Sequence, residues 1–378
     1  MNANDTRPAV PSRPIDDPAA WQAADMAQPA RWQYRLNDVE IAELDAALAH
    51  VHARGLDIMA ITKADFLLPS FGAKLAALRG EVLDGRGFVL LRGVPVERYS
   101  KRDATMAYWG IGVHIGYPVC QNARGEMIGH VIDLGARSSV MNPLGETAEN
   151  KVFLHPKYRS YMSNERLSYH TDFADVIGLL CLHHAKAGGE SKIVSSIAIH
   201  NEILRRRPDL LKVLYEPFWV DRRGELPAGA RPYYPMPIFC MFGGKLTSYY
   251  AGGHMKTTAQ FAELPPLSPQ QKEAMALVDA IANDPAFHLS MVLERGDIQL
   301  INNHTVLHAR TSYEDYPEPA RRRHLLRLWL VTPAGRPLPH WHYERYGAGR
   351  RGGIYVPGVT EMVGLEPIAL EPESERAT

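Results

Sequence analysis

Leu167-Ser168-Tyr169-His170-Thr171-Asp172 sets a histidine and an aspartate two positions apart, just ahead of the apolar run Val176-Ile177-Gly178-Leu179-Leu180-Cys181-Leu182. On a strand, residues i and i+2 point to the same face. His170 and Asp172 would then offer an imidazole nitrogen and a carboxylate oxygen to one point in space. On a helix the two would diverge by about 200° and could not easily share a metal. The strand reading makes this stretch the entry to a β-rich body and calls for a third ligand.

His308, 138 positions downstream, is the candidate. It ends the segment Gly296-Asp297-Ile298-Gln299-Leu300-Ile301-Asn302-Asn303-His304-Thr305-Val306-Leu307-His308. Two histidines and one carboxylate on one face of a metal leave open positions for a cosubstrate and O₂, the arrangement of non-haem Fe(II) oxygenases. A His-x-Asp pair alone is a weak signal, since a strand-end histidine bonded to a nearby carboxylate has the same sequence.

Around this stretch the pattern is a helical N-terminal third followed by short strands with a few inserted helices. Asn37-Asp38-Val39-Glu40 reads as a capping box, opening an amphipathic helix over 38–53. Further helices are expected over 70–83, 100–113 and 196–207, and over 268–283 after the Ser268-Pro269-Gln270-Gln271 start. Strands are expected at 87–93, 127–132, 176–183 and 191–194. His288–Leu293 and Ile298–Ile301 read as two strands joined around Gly296-Asp297. Leu325–Val331 alternates too little for a half-exposed strand and reads as buried on both faces. The fold class is α+β, with an antiparallel barrel or sandwich as the body. Residues 143–166 read as a long irregular loop, a common form of binding loop or lid.

Composition narrows the function classes. The chain has 378 residues, 46% of them hydrophobic, with 42 Lys plus Arg balancing 42 Asp plus Glu. Zero formal net charge argues against a nucleic-acid partner held by a general positive field. The three cysteines, Cys120, Cys181 and Cys240, are far apart and include no CxxC, so neither a disulfide framework nor a zinc ribbon is indicated. Met1 to Gln28 is polar and proline-rich, without the apolar core of a secretory signal. No apolar run approaches the roughly 18–20 residues of a membrane span. The expected location is the cytoplasm.

The run His170-Thr171-Asp172, then Gly188-Gly189-Glu190-Ser191, then Gly296-Asp297 leading to Asn303 and His308, then Arg323-His324-Leu325-Leu326-Arg327, resembles the taurine dioxygenase (TauD/TfdA) family of Fe(II)- and 2-oxoglutarate-dependent oxygenases. Gly87–Val94 also resembles that family's first core strand, and the resemblance spans roughly 85–335. It implies a double-stranded β-helix (jelly-roll) core with flanking helices. The expected organisation is a flexible N-terminal tail over 1–30, a single oxygenase domain over 31–360 and a peripheral acidic tail over 361–378.

Carried residue by residue, the resemblance puts His170, Asp172 and His308 on the iron ligands. Ser191, 21 positions after His170, falls where the family usually has threonine, a hydroxyl that would bond a 2-oxoglutarate carboxylate. Arg327, 19 positions after His308, falls on the arginine that pairs with the cosubstrate's distal carboxylate. A planar guanidinium suits that task, and an arginine among Leu325, Leu326, Leu328, Trp329 and Leu330 would be costly without an anionic partner.

Departures from the family pattern fall at His304 and in the long loop Thr311–Arg322. The Arg321-Arg322-Arg323 run leaves the register open, and Arg323, four positions before Arg327 on the same strand face, can touch substrate or cosubstrate. Tyr158, Arg159, Tyr161, Gln121 and Asn122 are candidate substrate contacts; ordinary loop surface is the competing reading. His183 and His184 need no ligand.

The expected reaction, by resemblance, uses O₂ to oxidise 2-oxoglutarate to succinate and CO₂ while a small polar substrate, such as an amino-acid derivative or natural-product intermediate, is hydroxylated. With Asp172 present, halide cannot take its place. Desaturation and ring closure stay open, as does a homo-oligomer. The rivals are a jelly-roll protein that binds metal and 2-oxoglutarate without turnover, and an O₂-independent cupin-like hydrolase or isomerase.

Overall fold

Asn37 opens the first long helix as its residues dictate. Its side chain accepts the Glu40 backbone N–H at 3.0 Å, and the Glu40 carboxylate returns the bond to Asn37. In the computed structural model, which describes residues 10–136, 159–345 and 350–368, this helix is α1 (Asp38–Ala53). It is followed by α2 (Phe71–Leu83) and α3 (Lys101–Ile115), the latter capped by Ser100. Later in the chain come α4 (Ser196–Arg206), α5 (Pro208–Leu214) and α6 (Pro269–Asn283), the last opened by a Ser268–Gln271 capping box. No helix among the described residues is long and apolar enough to cross a membrane.

Beside three two-stranded ladders, two larger sheets hold eleven of the strands among the described residues. These are β1 (Gln33–Arg35), β2 (Phe88–Arg92), β3 (Tyr117–Pro118), β4 (Ile128–Ile132), β5 (Leu167–His170), β6 (Val176–His183), β7 (Ser191–Ser195), β8 (His288–Met291), β9 (Ile298–Asn302), β10 (Val306–Arg310) and β11 (His324–Val331). The first sheet runs β1-β2-β9-β6-β11-β3, with β4 also paired to β11. The second runs β8-β7-β10-β5. All pairs are antiparallel except β1 with β2.

The period-2 geometry of β11 explains its unbroken apolar sequence. Leu326, Leu328 and Leu330 join the core under α1–α3, with Leu44, Leu75, Tyr108 and Ile111. Leu325 and Trp329 face the other way, into a core shared with Phe88, Ile177, Cys181, Ile193, Ile301 and Val306. A third core packs α4, α5 and α6 behind β7 and β10, through Ile197, Leu211, Val278, Val194 and Leu307. Each leucine removed from water here stabilises the fold by about 1.5–3 kcal/mol. The layers are helix, sheet, sheet, helix; Arg327 of β11 and Arg323, just before it, both line the pocket between the sheets.

The two strands expected on either side of Gly296-Asp297 form as β8 and β9 but lie in different sheets: β8 pairs β7 in the second, whereas β9 pairs β2 and β6 in the first. Gly296, at φ +80°, makes the turn that sends the chain across, and a Cβ there would sit 2.0 Å from the Val94 carbonyl oxygen. In the stretch expected as a flexible tail, residues 10–30 are docked. Trp21 and Met26 are buried, and the Trp21 indole donates to the Arg86 carbonyl at 2.7 Å. The tryptophan supplies enough apolar surface to outweigh the polar, proline-rich composition around it.

Candidate metal centre and adjoining pocket

His170 closes β5, and the register with β10 sets it opposite His308. The two imidazole rings lie 4.1 Å apart between centroids. Asp172 comes two residues after His170, but beyond the end of the strand, so strand geometry alone does not aim it. Asn303 does. Its Oδ1 accepts the Asp172 backbone N–H at 2.8 Å, and its Nδ2 donates to the carbonyls of Asp172 and Ala174 at 2.9 Å each. This bracing is a function of Asn303 that the sequence pattern did not specify.

The three side chains offer two nitrogens and an oxygen that all lie within 4.8 Å of one another. His170 Nε2 and His308 Nε2 are each 3.8 Å from a different Asp172 oxygen. His170 Nδ1 lies 2.9 Å from the Ser168 carbonyl, which makes Nδ1 the protonated nitrogen and leaves the Nε2 lone pair free. Burial, followed by the charge of His170, lowers the His308 pKa to about 3, so that imidazole is neutral. Burial opposes ionisation of Asp172, but Arg327, His308, His170 and the Trp329 N–H together hold its pKa below the ordinary carboxylate range. The neutral His308 imidazole, the free Nε2 lone pair of His170 and the ionised Asp172 carboxylate match the donor set a divalent iron takes. The residues present therefore fit the metal.

Outside these three, the Trp329 indole donates to Asp172 Oδ2 at 2.9 Å. Arg327 Nη1 is 3.5 Å from the same oxygen. The Arg327 Nε donates to Gln121 Oε1 at 2.8 Å, and its guanidinium lies over the rings of Tyr161 and Trp329. Gln121 is buried and also donates to the carbonyls of Met127 and Arg327, so it braces Arg327. Asn122 bonds Glu126 and Arg124 in its own turn, away from the pocket.

The pocket beside the triad has about 470 Å³ of empty space and is lined by residues including Tyr161, His170, Ser191, His308, Arg310, Arg323 and Arg327. Ser191 Oγ donates to Gln299 Oε1 at 2.9 Å. Arg323 is buried, and its Nη1 has no hydrogen-bond partner among the described residues. Arg310 was not singled out in the sequence; only the register of β10 brings it here. Arg159 pairs with Glu225 at 2.7 Å and donates to the Arg223 carbonyl at 3.2 Å, and it is not among the residues that line this pocket. The His254 ring is 6.5 Å from that of Phe173, the residue after Asp172. Burial, then the charges of Arg223 and Arg159, take the His254 pKa down to about 3. Tyr158 and most of the 143–166 loop lie outside the described residues.

Residues 53–329 match the family described as taurine catabolism dioxygenase TauD, TfdA family. FR-33289 synthase of Streptomyces rubellomurinus is 31% identical over 331 residues, covering 86% of this chain and 93% of that protein. Taurine hydroxylase-like protein SAT17 of Stachybotrys chartarum is 31% identical over 320 residues, covering 83% and 79%. Among solved structures, asparagine oxygenase in complex with Fe(II), 2S,3S-3-hydroxyasparagine and succinate superposes with a TM-score of 0.59 at 14% identity, covering 86% of this chain and 100% of that one. The non-heme iron oxygenase OrfP in complex with Fe and alpha-ketoglutaric acid gives a TM-score of 0.54 at 15% identity, covering 88% and 100%.

Proposed function

The chain belongs to the TauD, TfdA family and is an Fe(II)- and 2-oxoglutarate-dependent dioxygenase, and from that premise we propose that it hydroxylates a small, acid-bearing, amino-acid-like molecule. The observation that carries this reading is the convergence of His170, Asp172 and His308 beside an arginine-lined pocket. These three residues would hold the iron. Iron with 2-oxoglutarate and O₂ supplies the oxidising power for a substrate C–H bond, with succinate and CO₂ released.

The chain's own residues prepare that chemistry. Ser168 fixes the His170 tautomer, and Asn303 fixes the backbone of Asp172. The Trp329 N–H and Arg327 keep Asp172 ionised and aimed. Tyr161, Phe173 and Trp329 give the site apolar walls. Of the two pocket-lining arginines at β11, Arg327 in the strand lies at the Asp172 carboxylate and is already held by Gln121, while Arg323 just precedes the strand. A bound 2-oxoglutarate would need a cation for its distal carboxylate, apart from the atoms that hold the metal. Arg323, with Nη1 unpartnered, suits that carboxylate better than Arg327, which exchanges the roles expected from sequence. Ser191 would contribute its hydroxyl to the cosubstrate.

The two facing sheets support reading the body as a double-stranded β-helix within a single domain over 31–360. The arginines that line the pocket, Arg310, Arg323 and Arg327, support a substrate or cosubstrate with negatively charged groups. A panel of small amino acids and their acidic derivatives, assayed for O₂-dependent succinate release, tests the proposal. An accepted substrate should gain one oxygen atom by mass. Turnover restricted to neutral, apolar molecules, or substrate oxidation without succinate, would count against it.

A further inference from the structure

Arg310 lies two residues beyond His308 on β10, opposite Ser191 of β7, and its side chain is buried. Its Nη2 donates to the carbonyls of Ser163, at 2.7 Å, and Glu165. Its Nε and Nη1 have no partner among the described residues. A guanidinium has five N–H donors, and burying several of them unpaired is costly unless a ligand satisfies them. The Arg310 guanidinium sits 4.8 Å from the Tyr313 ring centroid, and that of Arg323 sits 5.0 Å from the same ring. Both line the pocket that holds Ser191 and His308.

Bracing of the chain alone accounts for Nη2, but not for the inward Nε and Nη1. The carbonyls it holds belong to the segment 160–166, which carries Tyr161 over Arg327 beside Asp172. We propose that Arg310 is a second cosubstrate arginine, which meets the distal carboxylate of 2-oxoglutarate together with Arg323 and thereby fastens the segment 160–166 over the metal site. The inference rests on the Fe(II)/2-oxoglutarate reading. It adds a residue that binds the cosubstrate and at the same time holds the wall of the substrate pocket. Cosubstrate binding and ordering of that wall are then one event.

The test uses full-length protein with Fe(II) under anaerobic conditions. 2-Oxoglutarate is titrated by the visible charge-transfer band of the chelated ferrous site, and trypsin cleavage after the exposed Arg166 is followed by mass spectrometry with and without cosubstrate. In the wild type, 2-oxoglutarate should slow that cleavage several-fold. Arg310→Gln should weaken 2-oxoglutarate about tenfold or more and abolish the protection. Arg310→Lys, which keeps a cation and one carbonyl bond should Gln compromise folding, should fall between the two. Wild-type affinity in both variants would overturn the cosubstrate role. Faster cleavage without cosubstrate at unchanged affinity would show a bracing role only. Weakened affinity with intact protection would overturn the coupling. Absence of the band in folded wild type would overturn the functional reading itself, and this inference with it.

Discussion

Asp172 carries the heaviest electrostatic demand at the site. It is buried, lies 3.8 Å from Nε2 of His170 and of His308 and takes the Trp329 N–H at 2.9 Å. An outer partner of this kind fixes a ligand's direction, and its loss typically costs about 10–100-fold in metal affinity. Trp329→Phe keeps the ring that stacks on Phe173 but removes the donor. It should weaken Co(II) or Fe(II) binding within that range while leaving the fold intact; unchanged affinity by metal titration would show the bond to be idle. The three residues that come within 4.8 Å were legible because ligand chemistry is written in residue type. Trp329, Asn303 and Arg310 were not, because each acts only through a register that pairs distant strands. Arg323 and Arg327, four apart on one face, are chemically identical in sequence, and only Gln121 and Asp172 tell them apart.

Element by element, the helices were the clearest. α1 and α6 begin at the residues their capping boxes mark, since cap chemistry is local. β11 was legible as buried on both faces, and it separates two cores. The strands β8 and β9 were legible on either side of Gly296-Asp297, but their pairing was not, because only the fold shows Gly296 passing the chain from one sheet to the other. Its φ of +80° and the 2.0 Å approach to Val94 make Gly296→Ala strained twice over. The substitution should lower unfolding free energy by about 2 kcal/mol or more in urea titration. A loss below about 0.5 kcal/mol would mean that the turn relaxes freely.

At the scale of the whole molecule, buried neutral histidines set the acid limit. Burial lowers His200 to about 4, and His254 and His324 each to about 3. Each binds a proton more readily once unfolded, so the stability they permit is full above about pH 6.5 and declines as pH falls toward the folded values. For His200 alone the loss by pH 4 is on the order of 3 kcal/mol. Asp297, raised by burial to about 6, acts in the opposite sense over a narrower window. Metal-free protein should therefore melt at a steady temperature above pH 6.5 and progressively lower below it. His200→Gln should flatten that decline; a pH-independent melting temperature from 7 to 4.5 would contradict the account. The same global fold assembles the candidate metal site from residues 138 positions apart, and the docked Trp21 shows how much of such packing composition conceals. The most direct measurement is the absorption spectrum of anaerobic protein given Fe(II) and 2-oxoglutarate. The account predicts the weak visible charge-transfer band of a chelated ferrous centre in the wild type and its loss in folded His170→Ala and Asp172→Ala. A wild type without the band, or variants that keep it, would contradict the account.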